Sequence, residues 1–159
     1  MLFTKLCSYT FRLHKGPICI VFISPERPYP EYALTFEDLT HLDALGLIRF
    51  DMTAGFCFQD LPKTISLKYF DAEIAIEFPD IDKWDFMQPA NSDGPKRYRL
   101  QAGTAFFTRA GIELSGVCGA TASQDALNSV LKYWIEEEGY ALWSPLIRSN
   151  ASEGHFPKP

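Results

Sequence analysis

Two segments of the chain each join a capped helix to a strand, and the rest of the fold has to be arranged around them. The first, residues 35–51, reads TFEDLTHLDALGLIRFD. Thr35 suits the N-cap of a helix, and Asp38 forms a variant of the capping box with an acid in the first turn. Gly46 stands where a left-handed residue commonly ends a helix. The positions that predict the buried side of this helix are Phe36, Leu39, Leu42 and Leu45.

The second segment, residues 103–114, reads GTAFFTRAGIEL and predicts a strand followed by a helix. We expect the strand to cover residues 98–107 and the helix to run from its cap at Thr108 to Cys118. Gly111 weakens a helix, so its presence indicates close packing against a neighbour. The side chains expected to face the core are Ile112, Leu114, Val117 and Cys118.

The N-terminal part of the chain predicts a helix, a strand and a stiff connector. Apolar residues at helical spacing predict a helix over residues 2–15, and residues 18–23 are typical of a short buried strand. Three prolines within residues 25–30 then predict an extended connector. Tyr29 and Tyr32 beside it are candidate partner-binding residues, since tyrosine is common at interface anchors. The alternative is that these rings cover the edge of the chain's own core.

The middle and C-terminal parts predict a sheet and a longer helix. Three alternating segments, with turns at residues 60–62 and 71–72, indicate an antiparallel meander, and residues 79–96 indicate a long irregular loop. Ser123 is expected to cap a helix, and residues 140–143 to form a last strand. We predict one α+β domain over residues 1–148 and a flexible tail over residues 149–159. The residues predicted to bury this helix are Leu127, Val130, Leu131, Trp134 and Ile135.

The composition of the chain argues against membrane association and against strong non-specific binding to nucleic acid. The longest apolar run, residues 18–23, is far shorter than the roughly 20 residues of a membrane span, so no membrane association is expected. A net charge of -5 disfavours strong non-specific attraction to nucleic acid. Four dispersed cysteines predict free, buried thiols in a reducing cytoplasm.

The residue types of catalytic and metal sites are dispersed along the chain. Three histidines and four cysteines show no zinc spacing, and the acids at positions 80, 82 and 85 lack the glycine and glutamate of an EF-hand. Asp38 and His41 are spaced as a pair on one helix face, but no nucleophile accompanies them. We therefore predict no catalytic residues, no metal and no cofactor. Whether the chain is an enzyme stays uncertain at this point, and the balance is against it.

Two short stretches, LDALGLI at residues 42–48 and FFTRAGIEL at residues 106–114, resemble the helix, strand and following helix of winged-helix domains. With the N-terminal and tryptophan-containing helices included, most of the chain is similar to the C-terminal region of an uncharacterised bacterial family with a domain of unknown function. The resemblance implies winged-helix-like helices with an enlarged antiparallel β-sheet, since residues 52–102 exceed an ordinary wing. It also implies that the chain is the C-terminal domain of a larger bacterial protein.

The expected partners follow from charge. The helix that would enter a DNA groove exposes acids and no lysine or arginine, so DNA binding through residues 36–45 is not expected. Lys96, Arg97 and Arg99 form the one basic cluster and are the candidate nucleic-acid contact. We therefore predict a non-catalytic module for protein–protein interaction or assembly, with a protein partner or self-association. The alternative is a winged-helix nucleic-acid-binding regulator, and the third possibility is an enzyme with an unrecognised site.

Overall fold

Short helices and antiparallel strands alternate along the chain in the computed structural model, which describes residues 1–13, 16–22, 34–53, 55–80 and 98–143. The helices are α1 (Leu2–Cys7), α2 (Phe36–Ala44), α3 (Arg109–Ser115) and α4 (Gln124–Glu136). The strands are β1 (Thr10–Leu13), β2 (Gly16–Cys19), β3 (Ile48–Phe50), β4 (Phe56–Leu61), β5 (Thr64–Tyr69), β6 (Ala72–Glu77), β7 (Tyr98–Gly103), β8 (Ala105–Phe107) and β9 (Ala141–Trp143). The predicted α+β class with a large antiparallel sheet is confirmed.

The largest sheet has five strands in the order β2-β1-β5-β6-β9. Each neighbouring pair is antiparallel, and β5 and β6 form the predicted hairpin, with Ile65 opposite Ile76. Alternation along these strands sends one set of side chains, including Phe11 and Leu67, into the core. The other set lies on the opposite face, which we call the outer face.

The predicted three-stranded meander is wrong in its first strand. β4 does not pair with β5; it pairs with β7 in a separate two-stranded sheet. The backbone gives the reason: β4 carries two register shifts, and Asp60 adopts a left-handed φ of 60° before the strand ends. Irregularities of this kind bend and twist the strand that carries them.

The predicted helix over residues 2–15 is also wrong, because α1 ends at Cys7 and β1 begins at Thr10. Residues 10–13 make ladders on both sides, with β2 and with β5, and the Phe11 ring packs against Tyr69 and Trp134. Pairing and burial outweigh the helical spacing of the apolar residues. Gly16 and Pro17, expected to follow a helix, instead begin β2.

Helix α4 covers the inner face of the five-stranded sheet. Ser123 caps it as predicted, and Trp134 is fully buried, with its Nε1 donating to the Gln101 carbonyl at 3.0 Å. The Tyr69 hydroxyl accepts from Ser123 N at 2.9 Å and donates to Ser8 O at 2.8 Å. This one side chain therefore holds the start of α4 and the end of α1 on the sheet.

Helices α2 and α3 meet across the second two-stranded sheet, formed by β3 and β8. The capping box of Thr35 and Asp38 is present, and Thr108 caps α3 while its hydroxyl donates to the Gly46 carbonyl at 2.6 Å. A Cβ on Gly111 would lie 1.9 Å from Leu47 O, so the predicted close packing at this glycine is confirmed.

Burial on α2 and α3 departs from the prediction. Leu39 and Leu42 are buried, but Leu45 is 58% exposed and Val117 is 79% exposed. Phe36, Ile112, Leu114 and, on α4, Ile135 are also exposed, by 39–49%. The reason is geometric: α3 has seven residues and presents Gly111 to its neighbour, so the larger residues beside that glycine stay at the surface.

The cysteines are free thiols as predicted among the described residues, but their burial differs. Cys7 and Cys19 are buried, Cys118 is half-buried and Cys57 is exposed. Cys57 lies on β4, at a position whose side chain faces away from the core. The predicted boundary of the domain and the tail at residues 149–159 lie outside the described residues.

Candidate functional site

The binding residues proposed from sequence fall mostly outside the described ranges. Tyr29, Tyr32, Lys96 and Arg97 all do. Arg99 lies on β7, partly buried, and its carbonyl accepts from the Tyr140 hydroxyl at 3.1 Å. Their partner-binding and nucleic-acid roles therefore stay predictions.

Apolar exposure is concentrated in what we call the α2–α3 unit, defined as residues 35–50 and 105–118. Nine large apolar side chains are exposed in the described part of the chain, and six of them lie in this unit. The concentration matters because single exposed apolar residues are ordinary, whereas a group of them is not. We call these six residues the exposed apolar set: Phe36, Leu45, Phe106, Ile112, Leu114 and Val117.

Two contacts bring the end of α2 and the start of α3 together. The Thr108 N–H donates to Leu47 O at 3.1 Å, and Gly111 packs against the same carbonyl. Leu45 and Ile112 lie within two residues of this junction. The junction therefore holds two members of the exposed apolar set near each other on a fixed backbone.

The β3–β8 ribbon adds an aromatic surface. Arg49 stands opposite Phe106, and both are exposed, while their neighbours Ile48 and Phe107 are buried. The Phe106 ring lies 5.6 Å from that of Phe56. The outward side of the ribbon is thus apolar with one cation beside it.

A second feature is an open cleft of about 470 Å³ on the outer face of the five-stranded sheet. The sheet side of its lining includes Arg12 and Lys68, which are directly opposite each other on β1 and β5. The other side comes from the turn after α3, including Gly116 and Gly119. Sequence analysis missed this cleft because it placed Arg12 in a helix, where it could not face Lys68.

The thiol of Cys7 also lines the cleft, and its pKa argues against a role as a nucleophile. Burial raises the pKa of Cys7, and the neighbouring Cys118 raises it further. The Thr10 hydroxyl lowers this pKa, although it does not meet the geometry of a hydrogen bond. Cys7 is therefore protonated at neutral pH and is not a poised nucleophile. Cys19 behaves in the same way, since complete burial raises its pKa.

In the predicted Asp38–His41 pair, the carboxylate of Asp38 has a structural role. Asp38 Oδ2 accepts from the Thr35 N–H at 2.9 Å, as part of the capping box. Among the described residues, no three acids, cysteines or histidines group as a metal site. No helix in the described ranges is long and apolar enough to cross a membrane.

Comparison with family models, with curated proteins and with solved structures finds no match. The winged-helix likeness therefore rests on residues 42–48 and 106–114 alone.

Proposed function

We propose that this chain is a non-catalytic interaction or assembly module that acts through the exposed apolar set of the α2–α3 unit. The observation that carries the proposal is the concentration of six exposed large apolar side chains in that one unit. In keeping with the bacterial resemblance and the free thiols, we place this module in the cytoplasm, as the C-terminal part of a larger protein. Tyr29 and Tyr32 remain further candidate contacts.

Several residues of the exposed apolar set have the spacing of core residues but lie at the surface. Leaving apolar area in water forgoes roughly 25 cal/mol for each Å² that a contact would bury. Val117, at 79% exposure, and Leu45, at 58%, forgo most of that stabilisation in the isolated chain. Contact with another protein surface would recover it, which supports an interface here.

The edge of this surface is polar, as at many interfaces. Arg109 and Glu113 form an exposed ion pair at 3.2 Å on α3, and Arg49 stands beside Phe106 on the ribbon. Exposed pairs of this kind contribute little to stability. Their position around apolar residues supports a role in selecting a partner.

Self-association can be tested with the purified chain alone, without another partner. We expect sedimentation velocity over a concentration series to show reversible association of the wild-type chain. Val117→Glu should shift the chain to monomer, because a carboxylate would be buried without a partner in the interface. At a protein concentration where the wild-type chain is monomeric, its unfolding midpoint should match that of the wild type, since Val117 is exposed in the monomer.

The matched control is Ile135→Glu, which adds the same charge at a residue 49% exposed on α4, outside the α2–α3 unit. This variant should associate like the wild type. A wild-type chain that stays monomeric up to its solubility limit would remove self-association from the proposal. Equal effects of the two glutamates would show that net charge, and not this surface, controls association.

The nucleic-acid alternative requires a basic face, and α2 presents Glu37, Asp38 and Asp43 instead. We expect fluorescence anisotropy to show duplex DNA binding no tighter than the non-specific range, a Kd of about 10⁻⁴–10⁻⁶ M at physiological salt. Sub-micromolar binding with a sequence preference would favour the regulator over the interaction module.

A further inference from the structure

We propose that the cleft on the outer face of the five-stranded sheet binds a small organic molecule that carries an oxyanion, a carboxylate or a phosphate, next to an apolar group. Arg12 and Lys68 would hold the oxyanion, and Phe70 and Pro17 would contact the apolar part. The proposal rests on different residues from the exposed apolar set and is independent of the proposed function.

The first observation is a pair of like charges placed side by side. Arg12 and Lys68 are partners in the β1–β5 ladder, where Cα atoms lie about 4.5–5.5 Å apart. Both side chains leave the sheet on the outer face, because their neighbours Phe11 and Leu67 are buried. Like charges directly opposite each other on a sheet are destabilising.

The second observation concerns the two acids near these cations, Glu73 and Asp71. Glu73 is opposite Lys68 on β6, but its carboxylate accepts from the Ser66 hydroxyl at 2.6 Å. Asp71 lines the cleft. Within the described ranges, no carboxylate makes an ion pair with Arg12 or with Lys68. An oxyanion between the two cations would replace their repulsion with charge-assisted hydrogen bonds.

The third observation is a strained aromatic residue at the cleft. Phe70 is the first of two residues in the β5–β6 turn and has a φ of 50°, a region that glycine adopts far more readily. Non-glycine residues held in such conformations are often found at functional sites. The turn thus places Phe70 in the lining of the cleft, with its ring edge-on to that of Tyr69 at 5.0 Å, at a position where glycine would form the turn more easily.

The opposite wall leaves the backbone accessible. A Cβ on Gly119 would meet no atom within 4 Å, and one on Gly116 would meet only Glu113 O at 3.6 Å. A ligand can therefore approach this turn closely. The cleft volume of about 470 Å³ lies within the usual range of small-molecule sites, roughly 300–1,000 Å³.

The test is a titration of the full chain followed by ¹H–¹⁵N NMR at constant ionic strength. The probes are phenyl phosphate, benzoate and inorganic phosphate, with chloride as the reference anion. We expect saturable shifts at Arg12, Lys68 and Gly119 with at least one organic anion. The probe that binds more tightly decides between phosphate and carboxylate as the natural group.

Arg12→Gln and Lys68→Gln should each weaken binding roughly tenfold or more, the size of one lost charged hydrogen bond. In anion-free buffer Arg12→Gln should not unfold at lower denaturant than the wild type, because it removes a like-charge contact. Lys132→Gln is the matched control: it makes a comparable charge change at an exposed residue of α4, outside the lining of the cleft, and should leave binding unchanged.

Two results would overturn the proposal. One is the absence of saturable shifts with every organic anion. The other is equal weakening by Lys132→Gln and Arg12→Gln, which would mean that the anions respond to overall charge and not to this cleft.

Discussion

Helix α4 and the α2–α3 unit both have apolar residues at helical spacing, but such residues are buried on α4 and exposed at several positions of the α2–α3 unit. On α4, Leu127, Val130 and Trp134 are all buried against the five-stranded sheet. In the α2–α3 unit, Leu45, Ile112 and Val117 stay exposed. Helical spacing identifies residues that share a face, but a second surface has to be present to bury that face.

The difference arises from what each helix packs against. Helix α4 spans 13 residues and lies along a sheet, and its tryptophan reaches β7 through the Gln101 carbonyl. Helix α3 spans seven residues and touches its neighbour through Gly111. A contact centred on glycine brings backbones close and leaves the flanking side chains at the surface. The predictions below test this contrast.

The largest expected effect is at the centre of the α4 contact. Trp134→Ala should lower the free energy of unfolding by roughly 3–5 kcal/mol, because it empties a fully buried site that packs against Phe11 and Tyr140. Chemical denaturation measures it. The adjacent Ile135→Ala, 49% exposed, should cost less than about 0.5 kcal/mol. Similar losses for the two variants would contradict the assignment of the buried face.

The junction of the α2–α3 unit should be the next most sensitive position. Gly111→Ala places a methyl group 1.9 Å from a backbone oxygen, so the backbone has to move, at a cost of roughly 1–3 kcal/mol. Gly116→Ala is the matched change at a residue with an ordinary φ of -70° and open space around it. It should be neutral or slightly stabilising. Equal tolerance at the two glycines would mean that α3 does not pack through Gly111.

Thiol burial predicts a dependence of stability on pH. Burial raises the pKa of Cys7 and of Cys19, so the folded chain keeps protons that the unfolded chain loses above the ordinary thiol pKa of about 8.5. Between neutral pH and this value stability should be nearly constant, and above it stability should fall by up to about 1.4 kcal/mol per pH unit for each of the two thiols. Urea unfolding between neutral and alkaline pH measures the slope.

Cysteine variants separate this effect from general alkaline loss. Cys7→Ala should reduce the slope, whereas Cys57→Ala, at an exposed thiol, should leave it unchanged. A slope that neither variant alters would remove Cys7 as its cause.

Local signals in the sequence predicted the parts of the fold that depend on neighbouring residues. The caps at Thr35, Thr108 and Ser123 are each set within one helical turn, and the β5–β6 hairpin within one short turn. Gly46, with a φ of 71°, ends α2 for a reason visible in the residue type itself. These features require no knowledge of the rest of the chain.

The remaining features depend on residues that are distant in sequence. Residues 10–13 become a strand because β2 and β5 lie on both sides, and β4 finds its partner in β7. The cleft depends on the register that sets Arg12 against Lys68. Pairing of this kind leaves no local pattern, so neither the cleft nor the exposure of Val117 could be predicted from spacing.

The smallest expected effect, at Leu45, tests the central claim most directly: residues of the exposed apolar set lie at the surface of the α2–α3 unit, although Leu42 of the same unit is buried. Denaturant unfolding should be compared for Leu42→Ala and Leu45→Ala, two leucines of one segment that are 1% and 58% exposed. We predict a loss of roughly 2–5 kcal/mol for Leu42→Ala and less than about 0.5 kcal/mol for Leu45→Ala. A loss of roughly 2 kcal/mol or more at Leu45 would place this residue in the core and contradict the account.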